Sequence, residues 1–208
     1  MYVIGVTGSI GSGKSTVSRM LADWANVSLV DADRIARDIV EPGKDTLIAL
    51  ADIFGSKILT KDSLPSLDRS KLAEIVFNDP AERQKLNAIM FPAIRKRVLE
   101  HFDAHMMLGK QYIIYDAPLL FESGTDDLVN YTVLVYVPRD VQMKRIKKRN
   151  GLSDKQVAAR INSQASGDDM LKRPHDFLIR NTMSFNALKS TVATLWEDIQ
   201  GRAVGPTL

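Results

Sequence analysis

The stretch Gly8-Ser9-Ile10-Gly11-Ser12-Gly13-Lys14-Ser15 decides how this sequence folds and what it binds. It matches the phosphate-loop pattern G-x-x-x-x-G-K-[ST] at every fixed position. An apolar segment precedes the stretch and a helical pattern follows it, and this is the context in which phosphate loops occur. The sequence therefore predicts a nucleotide-binding loop between a strand and a helix.

Each required residue type in this loop has a physical reason. Glycines, here Gly8, Gly11 and Gly13, let the backbone turn tightly and bring its amide hydrogens against phosphate oxygens. Lys14 offers a compact positive charge to the β- and γ-phosphates, and we predict that it acts in binding and in catalysis. The Ser15 hydroxyl can coordinate Mg²⁺. The following helix directs the positive end of its dipole at the bound anion.

Five short segments rich in β-branched and aromatic residues alternate with longer stretches of helical periodicity. The segments are largely apolar, as expected for strands that are buried on both faces of a parallel sheet. Strands alternating with helices predict an α/β domain with right-handed crossovers. The predicted strands are Tyr2–Thr7, Val27–Asp31, Tyr112–Asp116, Thr132–Val137 and Asp176–Asn181. The predicted helices are Ser15–Trp24, Ala32–Val40, Asp45–Phe54, Ser70–Phe77, Pro80–Leu108, Asp140–Arg149, Asp154–Gln164 and Phe185–Ile199.

Two insertions interrupt the predicted five-stranded parallel core. Roughly eighty residues separate the second strand from the third, whereas a βαβ unit takes about thirty in all. We interpret 32–108 as an inserted helical region, in which the proline of Phe91-Pro92 should end or kink a helix. A second insertion, 139–175, is predicted to form a helical lid. The nucleotide-binding core then comprises 1–31, 109–138 and 176–200.

Acidic residues follow two of the predicted strands, at the edge of the sheet where ligands gather in open parallel sheets. Asp33 could accept the proton of an attacking hydroxyl or orient that hydroxyl toward the γ-phosphate. Asp116 could hold Mg²⁺ directly or through water. The alternative role for such residues is helix capping, which we favour for Asp31.

A basic cluster marks the first predicted helix of the lid. A solvated basic face is the usual explanation for such a cluster. A kinase, however, uses arginines to stabilise the charge that develops on the transferring phosphoryl group. Arg145 and Arg149 are the candidates, because a four-residue spacing puts both on one helix face. The cluster consists of Lys144, Arg145, Lys147, Lys148 and Arg149.

Bulk composition limits the remaining possibilities. The 208 residues are 45% hydrophobic and 25% charged, which is typical of soluble globular proteins. The chain has no cysteine, so thiolate catalysis and disulfides are excluded. A net charge of +3 is too small to indicate a nucleic-acid partner. We see neither a secretory signal nor a run long enough to cross a bilayer, and we expect a cytoplasmic monomer without a membrane partner.

The chain resembles the dephospho-coenzyme A kinase family over nearly its whole length, from Val3 to about Leu195. The phosphate loop alone is shared with many kinases and switches. Asp31-Ala32-Asp33 and Pro118-Leu119-Leu120-Phe121-Glu122, in this order, are much more specific. Further matching pieces are Val40-Glu41-Pro42-Gly43, Phe54-Gly55, Leu67-Asp68-Arg69, Gln142 with Arg145, Gln164, and Asn181.

This resemblance implies a concrete reaction. Such enzymes transfer the γ-phosphoryl group of ATP to the ribose 3′-hydroxyl of dephospho-coenzyme A, with Mg²⁺. The match gives the catalytic role to Asp33 and the role of lid arginine to Arg145. It gives ATP binding to Gly11–Thr16, which includes Ser12, and places Asn181 near the adenine. It also implies that the helical insertion forms the acceptor-binding region.

Two other readings of the residues stay open at this point. One is a kinase for another small acceptor, such as a nucleoside monophosphate or shikimate, because the chemistry would be the same and only the acceptor pocket would differ. The other is a GTP-dependent switch that shares only the phosphate loop. Such switches generally carry an Asn-Lys-x-Asp motif, which this sequence lacks.

Overall fold

A computed structural model describes residues 1–77, 79–151, 153–162 and 167–203 of the chain. These residues divide into two compact units. The first unit contains Met1–Val30 and the described residues from Ala104 onward, and the second, the helical unit, contains Asp31–Asp103. The described part of the predicted lid belongs to the first unit. Gln164, one of the residues of the family resemblance, lies outside the described residues.

The described strands form one parallel sheet of five strands. The strands are β1 (Tyr2–Thr7), β2 (Val27–Asp31), β3 (Tyr112–Asp116), β4 (Tyr131–Tyr136) and β5 (Phe177–Arg180). Their order across the sheet is β2-β3-β1-β4-β5, so β1 is central and lies between β3 and β4. The predicted fold class, an α/β domain with a five-stranded parallel sheet, is confirmed.

Nine α-helices are described, and most of them were predicted. They are α1 (Lys14–Ala22), α2 (Ala32–Asp38), α3 (Asp45–Phe54), α4 (Arg69–Phe77), α5 (Pro80–Met107), α6 (Arg139–Asn150), α7 (Asp154–Asn162), α8 (Gly167–Leu171) and α9 (Phe185–Ala203). Helix α8 was not predicted, because five residues are too few to show a helical period. Among the described helices, none combines the length and the apolar character that crossing a membrane requires.

Alternation along the strands explains the core. Residues two apart on a strand face the same side of the sheet, and on one side Ile4 and Val6 of β1 pack in a single apolar cluster with Val133 and Val135 of β4. Helices α1 and α9 cover this side. The other side is buried as well, since Ile113 of β3 has no exposed surface. Burial of both faces is what the continuously apolar segments predicted.

Helix α5 runs from Pro80 to Met107 without interruption, although Pro92 lies inside it. We expected this proline to end or kink a helix, and the helix does not end there. A proline within a helix removes one backbone hydrogen bond, here the bond to the carbonyl of Ala88. The bonds on either side hold the helical path, which is why such a proline can be accommodated in a helix of 28 residues.

The helical unit contains a short loop, residues 60–66, that is closed by its own groups. The backbone N–H of Thr60 donates to the carbonyl of Ser66 at 2.9 Å. The N–H of Ser66 donates in return to Thr60 Oγ1 at 3.0 Å. Just beyond, Asp68 accepts hydrogen bonds from Ser70 Oγ at 2.6 Å and from the N–H of Lys71 at 3.1 Å. Asp68 thereby caps helix α4.

Candidate active site

The phosphate loop, residues 8–13, joins the central strand to helix α1 at the carboxyl edge of the sheet. In the strand register Val6 pairs with Asp116 of β3, and Thr7 pairs with Leu134 of β4. The chain leaves β1 between two strands that follow much later in the sequence, which is the topological switch point of the sheet. The loop therefore opens at the position where parallel α/β sheets bind their ligands.

Two glycines of the loop are required by both conformation and space. Gly11 has a φ of 81° and Gly13 a φ of 90°, in the left-handed region that favours glycine. A Cβ atom on Gly13 would lie 2.3 Å from Asn181 Nδ2, and one on Gly11 would lie 3.0 Å from Ile146 Cγ1. Other parts of the first unit therefore press against the loop backbone so closely that side chains are excluded.

The loop ends at the N-terminus of helix α1. Gly13 occupies the position before the first helical residue, Lys14. The first N–H groups of any helix have no partner within the helix, and the helix dipole adds positive potential there. Inside the loop, the N–H of Ser12 donates to the carbonyl of Ser9 at 3.0 Å and closes a turn. This end of the helix is therefore suited to bind an anion.

Lys14 and Asp116 form a buried ion pair beside the loop. Lys14 Nζ donates to Asp116 Oδ1, and the two residues are only 9% and 3% exposed. Two charges this well buried are tolerated because each neutralises the other. A bound phosphate would give the lysine a second anionic partner. The pair thus supplies a cation for phosphate and a carboxylate for a metal ion at one place.

Oxygen ligands suited to Mg²⁺ are present where they were predicted. Ser15 lies exposed in the first turn of α1, and Asp116 ends β3 next to Lys14. Magnesium in nucleotide sites takes one or two protein oxygens and completes its shell with phosphate oxygens and water. A hydroxyl and a carboxylate at this edge of the sheet therefore fit the ion.

Arg145 of helix α6 and Asn181, the residue after β5, meet on the outer side of the loop. Arg145 donates from Nη1 to the Ser12 carbonyl at 3.2 Å and to the Gly11 carbonyl at 3.5 Å. Its Nη2 donates to the Asn181 carbonyl at 2.8 Å. Asn181 Nδ2 donates to the Ser12 carbonyl at 2.7 Å. The predicted lid arginine is thus bonded to the loop backbone.

Gln142 also contacts the loop, and the sequence interpretation did not assign it to the site. Its Nε2 donates to the Ile10 carbonyl at 2.7 Å, and the residue is 3% exposed. The available signal was its spacing from Arg145, since residues three apart lie on the same helix face. A polar residue on the face that carries a predicted site residue would have been a reasonable candidate.

Two other basic residues of α6, Lys144 and Lys147, behave differently from Arg145. Lys144 lies 3.7 Å from Asp140, and Lys147 bonds Asp154 at 2.8 Å, with all four side chains more than half exposed. Exposed pairs of this kind contribute little. They belong to a solvated face, which is the ordinary explanation of such a cluster.

Helix α8 is joined to the sheet by a hydrogen bond to Tyr136, the last residue of β4. The Tyr136 hydroxyl donates to Asp168 Oδ1 at 3.0 Å. This bond raises the pKa of Tyr136 above its ordinary value, because the phenolic proton is held by a carboxylate.

Asp31 and Asp33 have separate roles in the helical unit. Asp31 Oδ1 accepts hydrogen bonds from the N–H groups of Asp33, at 2.8 Å, and Arg34, at 3.2 Å. This confirms the capping role that we predicted for Asp31. Asp33 lies exposed in the first turn of α2. Its carboxylate is therefore not needed to start the helix.

Within the first unit the structure brings together several residues that are far apart in the sequence. They are Lys14, Asp116, Arg145 and Asn181, with the glycines of the loop and with Gln142. A phosphate loop after the central strand of a parallel sheet, backed by a paired lysine and aspartate, defines a phosphate-loop nucleotide-binding protein. Its class is that of the phosphate-loop kinases.

The chain belongs to the dephospho-CoA kinase family, whose profile, described as CoaE: Dephospho-CoA kinase, matches residues 2–186. A dephospho-CoA kinase from Listeria monocytogenes is 40% identical over 194 residues, which are 93% of this chain and 95% of the relative. The crystal structure of a Thermus thermophilus protein has a TM-score of 0.77 and 32% identity, covering 94% of this chain and 97% of its own. A dephospho-CoA kinase structure from Campylobacter jejuni has a TM-score of 0.68 and 30% identity, with coverage of 96% and 98%.

Proposed function

We propose that this protein transfers the γ-phosphoryl group of ATP to the ribose 3′-hydroxyl of dephospho-coenzyme A. The observation that carries the proposal is the extent of the family match, residues 2–186. It spans the whole phosphate loop and the buried partner of its lysine, Asp116. Phosphoryl transfer is the last step in making coenzyme A when the acceptor is its dephospho form.

The donor is held by the backbone and by one side chain. We assign the phosphates to Gly11–Thr16, at the loop and the first turn of α1. The N–H groups of Ser12 and Thr16 donate to Ser9 and Gly13, and the other peptide N–H groups of this stretch direct partial positive charge at the phosphates. We assign Lys14 Nζ, which donates to Asp116 Oδ1, to contact the β- and γ-phosphates. Positioning and charge neutralisation account for most of the catalysis in this class of reaction. Removing Lys14 therefore weakens both binding and catalysis.

Ser15 and Asp116 are the residues that we assign to Mg²⁺. The ion, when bound, neutralises part of the negative charge of the triphosphate. The Ser15 hydroxyl would help to hold the ion. Asp116 would hold it directly or through water, because a carboxylate that also accepts from Lys14 still has a second oxygen available.

Asp33 is the residue that we assign to the acceptor hydroxyl. An ionised carboxylate can take the proton of the hydroxyl as it attacks, or orient it toward the γ-phosphate. Asp33 is exposed, and Asp31 rather than Asp33 caps helix α2. We assign the coenzyme A part of the acceptor to the helical unit.

Arg145 and Asn181 complete the assigned site. A guanidinium beside the loop can stabilise charge that develops on the transferring phosphoryl group. We place the adenine near Asn181, which the loop contact at Ser12 already brings to the donor side. The monomeric state and the cytoplasmic location stay predictions from the sequence.

The acceptor is tested with a panel assay. Purified protein, ATP and Mg²⁺ are offered dephospho-coenzyme A, several nucleoside monophosphates and shikimate in parallel. We expect ADP release and a new phosphomonoester with dephospho-coenzyme A. Turnover with one of the other acceptors alone would overturn the acceptor assignment and leave the phosphate-loop assignment standing.

The catalytic role of Asp33 is tested by Asp33→Asn, with Asp31→Asn as the matched control. Asp33→Asn should keep its affinity for Mg-ATP and lose about a hundredfold or more in kcat, the contribution of a positioned base. Asn still accepts hydrogen bonds at a helix N-cap, so Asp31→Asn should stay within about threefold of the unmodified enzyme. Near-normal turnover in Asp33→Asn would mean that another group handles the proton.

A further inference from the structure

The carbonyl oxygens of three successive loop residues are bonded by side chains from outside the loop. Gln142 donates to Ile10 O, Arg145 donates to Gly11 O and Ser12 O, and Asn181 also donates to Ser12 O. The donors come from helix α6 and from the end of β5. The sequence separations are 132, 134 and 169 residues for the first, second and last of these contacts.

Because of peptide geometry, these carbonyl contacts also determine where the N–H groups of the loop point. A trans peptide is planar, and its C=O and the next residue's N–H point in opposite directions. Holding the Ile10 carbonyl toward Gln142 therefore turns the N–H of Gly11 away from helix α6. Holding the Ser12 carbonyl toward Asn181 likewise turns the N–H of Gly13 away from Asn181. The carbonyl contacts thus set the orientation of N–H groups that are available to phosphate.

Burial makes these contacts obligatory rather than incidental. Gln142 is 3% exposed and Asn181 is 5% exposed, so their amide groups cannot exchange the loop carbonyls for bulk water. A buried donor or acceptor that loses its partner carries the full cost of its desolvation. The loop backbone is thus held in one conformation before any anion arrives, which is the preorganisation that electrostatic catalysis requires.

We propose that Gln142 is a positioning residue for phosphoryl transfer. Through Ile10 it fixes the peptide that presents the Gly11 N–H to the phosphates, and it does so without touching the nucleotide. Arg145 and Asn181 act on the next two peptides in the same way. The inference rests on the proposed use of ATP, and it adds a residue to which no role in the reaction was assigned.

Packing offers a competing explanation, and the structure supplies a control for it. Helix α6 also meets helix α7 in a small apolar cluster of Ile146, Val157 and Ile161, and the side chain of Ile10 packs against it. If Gln142 only stabilised helix α6, loosening that cluster would have the same effect on activity. Val157 has no exposed surface, so Val157→Ala destabilises the same region without removing a donor to the loop.

The first experiment compares Gln142→Leu with Val157→Ala in the full-length enzyme. Leucine has a similar volume and no N–H to donate to Ile10 O. We expect Gln142→Leu to lower kcat at saturating ATP by about tenfold or more, since small displacements of reacting groups are costly. Val157→Ala should lower the melting temperature while keeping kcat within about twofold. A Gln142→Leu enzyme with unchanged kcat would overturn the proposal.

Binding of inorganic triphosphate with Mg²⁺ separates this inference from the acceptor assignment. The probe has no base and no acceptor, so it reports on the loop alone. Gln142→Leu should weaken it by about fivefold or more, roughly the worth of one hydrogen bond, and Val157→Ala should not. If the unmodified enzyme fails in the acceptor panel but this difference is present, the function proposal fails and the loop inference stands. Equal affinities in all three proteins would overturn the inference.

If Gln142→Leu does not fold, Gln142→Glu provides a second test of the proposal. Glutamate keeps the shape, but its carboxylate cannot donate to Ile10 O. Only the protonated acid can, so the activity of Gln142→Glu relative to the unmodified enzyme should rise as pH falls. A ratio that stays constant from about pH 8 to about pH 4, a range that extends past the ordinary glutamate pKa of about 4.3, would contradict the proposal.

Discussion

Two loops of this protein are held in opposite ways. The phosphate loop, residues 8–13, has a hydrogen bond of its own, between Ser12 and Ser9. Its carbonyls at Ile10 and Ser12 accept from Gln142 and Asn181, which are 132 and 169 residues away in the sequence. The loop at residues 60–66 of the helical unit is closed by Thr60 and Ser66, six residues apart. The phosphate loop therefore depends on the completed fold of the first unit. The loop at residues 60–66 depends only on residues close to it in the sequence.

The difference shows what each loop can do. A loop that is closed locally forms as soon as its few residues meet, because a short closure costs little chain entropy. A loop that is closed by distant side chains acquires its shape only when the sheet and helices around it are in place. The backbone carbonyls of such a loop are then held by buried side chains that keep their positions when a ligand binds, as a preorganised site requires.

The largest expected effect comes from breaking the buried pair beside the phosphate loop. Asp116→Ala leaves the charge of Lys14 buried without a partner, and we expect a loss of about 3–5 kcal/mol in the free energy of unfolding. Asp140→Ala is the control, because its pair with Lys144 is exposed and should contribute less than about 1 kcal/mol. Denaturant unfolding measures both variants.

The comparison is sharpened by adding inorganic triphosphate to the same two proteins. The anion gives Lys14 a new partner, so it should stabilise Asp116→Ala by more than it stabilises Asp140→Ala. An Asp116→Ala protein as stable as the control would show that Lys14 finds another partner or water, and that the pair is not what holds this side of the loop.

The next effect separates conformational strain from close contact. Gly13→Ala places a Cβ atom 2.3 Å from Asn181 Nδ2 at a φ of 90°, so the loop and Asn181 must move apart. We expect kcat/KM to fall by about a hundredfold or more. Gly55→Ala, in the helical unit, has a similar φ of 80° but nothing within 4 Å of the added atom. It should cost about 1–3 kcal/mol of stability through strain alone.

Steady-state kinetics and thermal unfolding of the two alanine variants distinguish these effects. Gly55→Ala should retain its affinity for Mg-ATP, because it disturbs only the helical unit. If Gly13→Ala and Gly55→Ala lost ATP affinity equally, backbone strain would explain both results. The close approach of Asn181 to the phosphate loop would then have no functional consequence.

Most of the fold, and the phosphate-loop residues of the site, could be predicted from the sequence for physical reasons. Local patterns carry them: the phosphate-loop glycines, Lys14 and Ser15 lie within one octapeptide, and the buried strands appear as short apolar runs. Arg145 and Asn181 were also among the predicted site residues, whereas Gln142 was not. Its spacing from Arg145 places it on the same helix face, but its contact with Ile10, 132 residues away in the sequence, depends on the tertiary fold. The helix that contains Pro92 was predicted as Pro80–Leu108. The expectation that Pro92 could end it rested on local propensity, whereas the surrounding turns decide whether a proline is tolerated.

The smallest expected effect lies in the locally closed region and concerns pH. The hydroxyl of Ser70 donates to Asp68, as does the N–H of Lys71, and these bonds lower the pKa of Asp68 from 3.8 to about 2. The lowered pKa means that the folded protein prefers the ionised carboxylate. The capping contribution of Asp68 is therefore fully present above about pH 4 and is lost as pH falls through about 2.

A carboxyl titration followed by NMR measures this directly. In the unmodified protein the Asp68 midpoint should lie near 2, and Ser70→Ala should move it toward 3.8, because the Ser70 hydroxyl contributes most to the shift. Ser63→Ala, on the neighbouring loop, should leave the midpoint in place. Because the donors lie within three residues of Asp68, the shift should also persist in variants that disturb the phosphate loop, such as Gly13→Ala. A midpoint that moved with the phosphate loop would show that the two regions are coupled, and the contrast between local and distant closure would no longer hold.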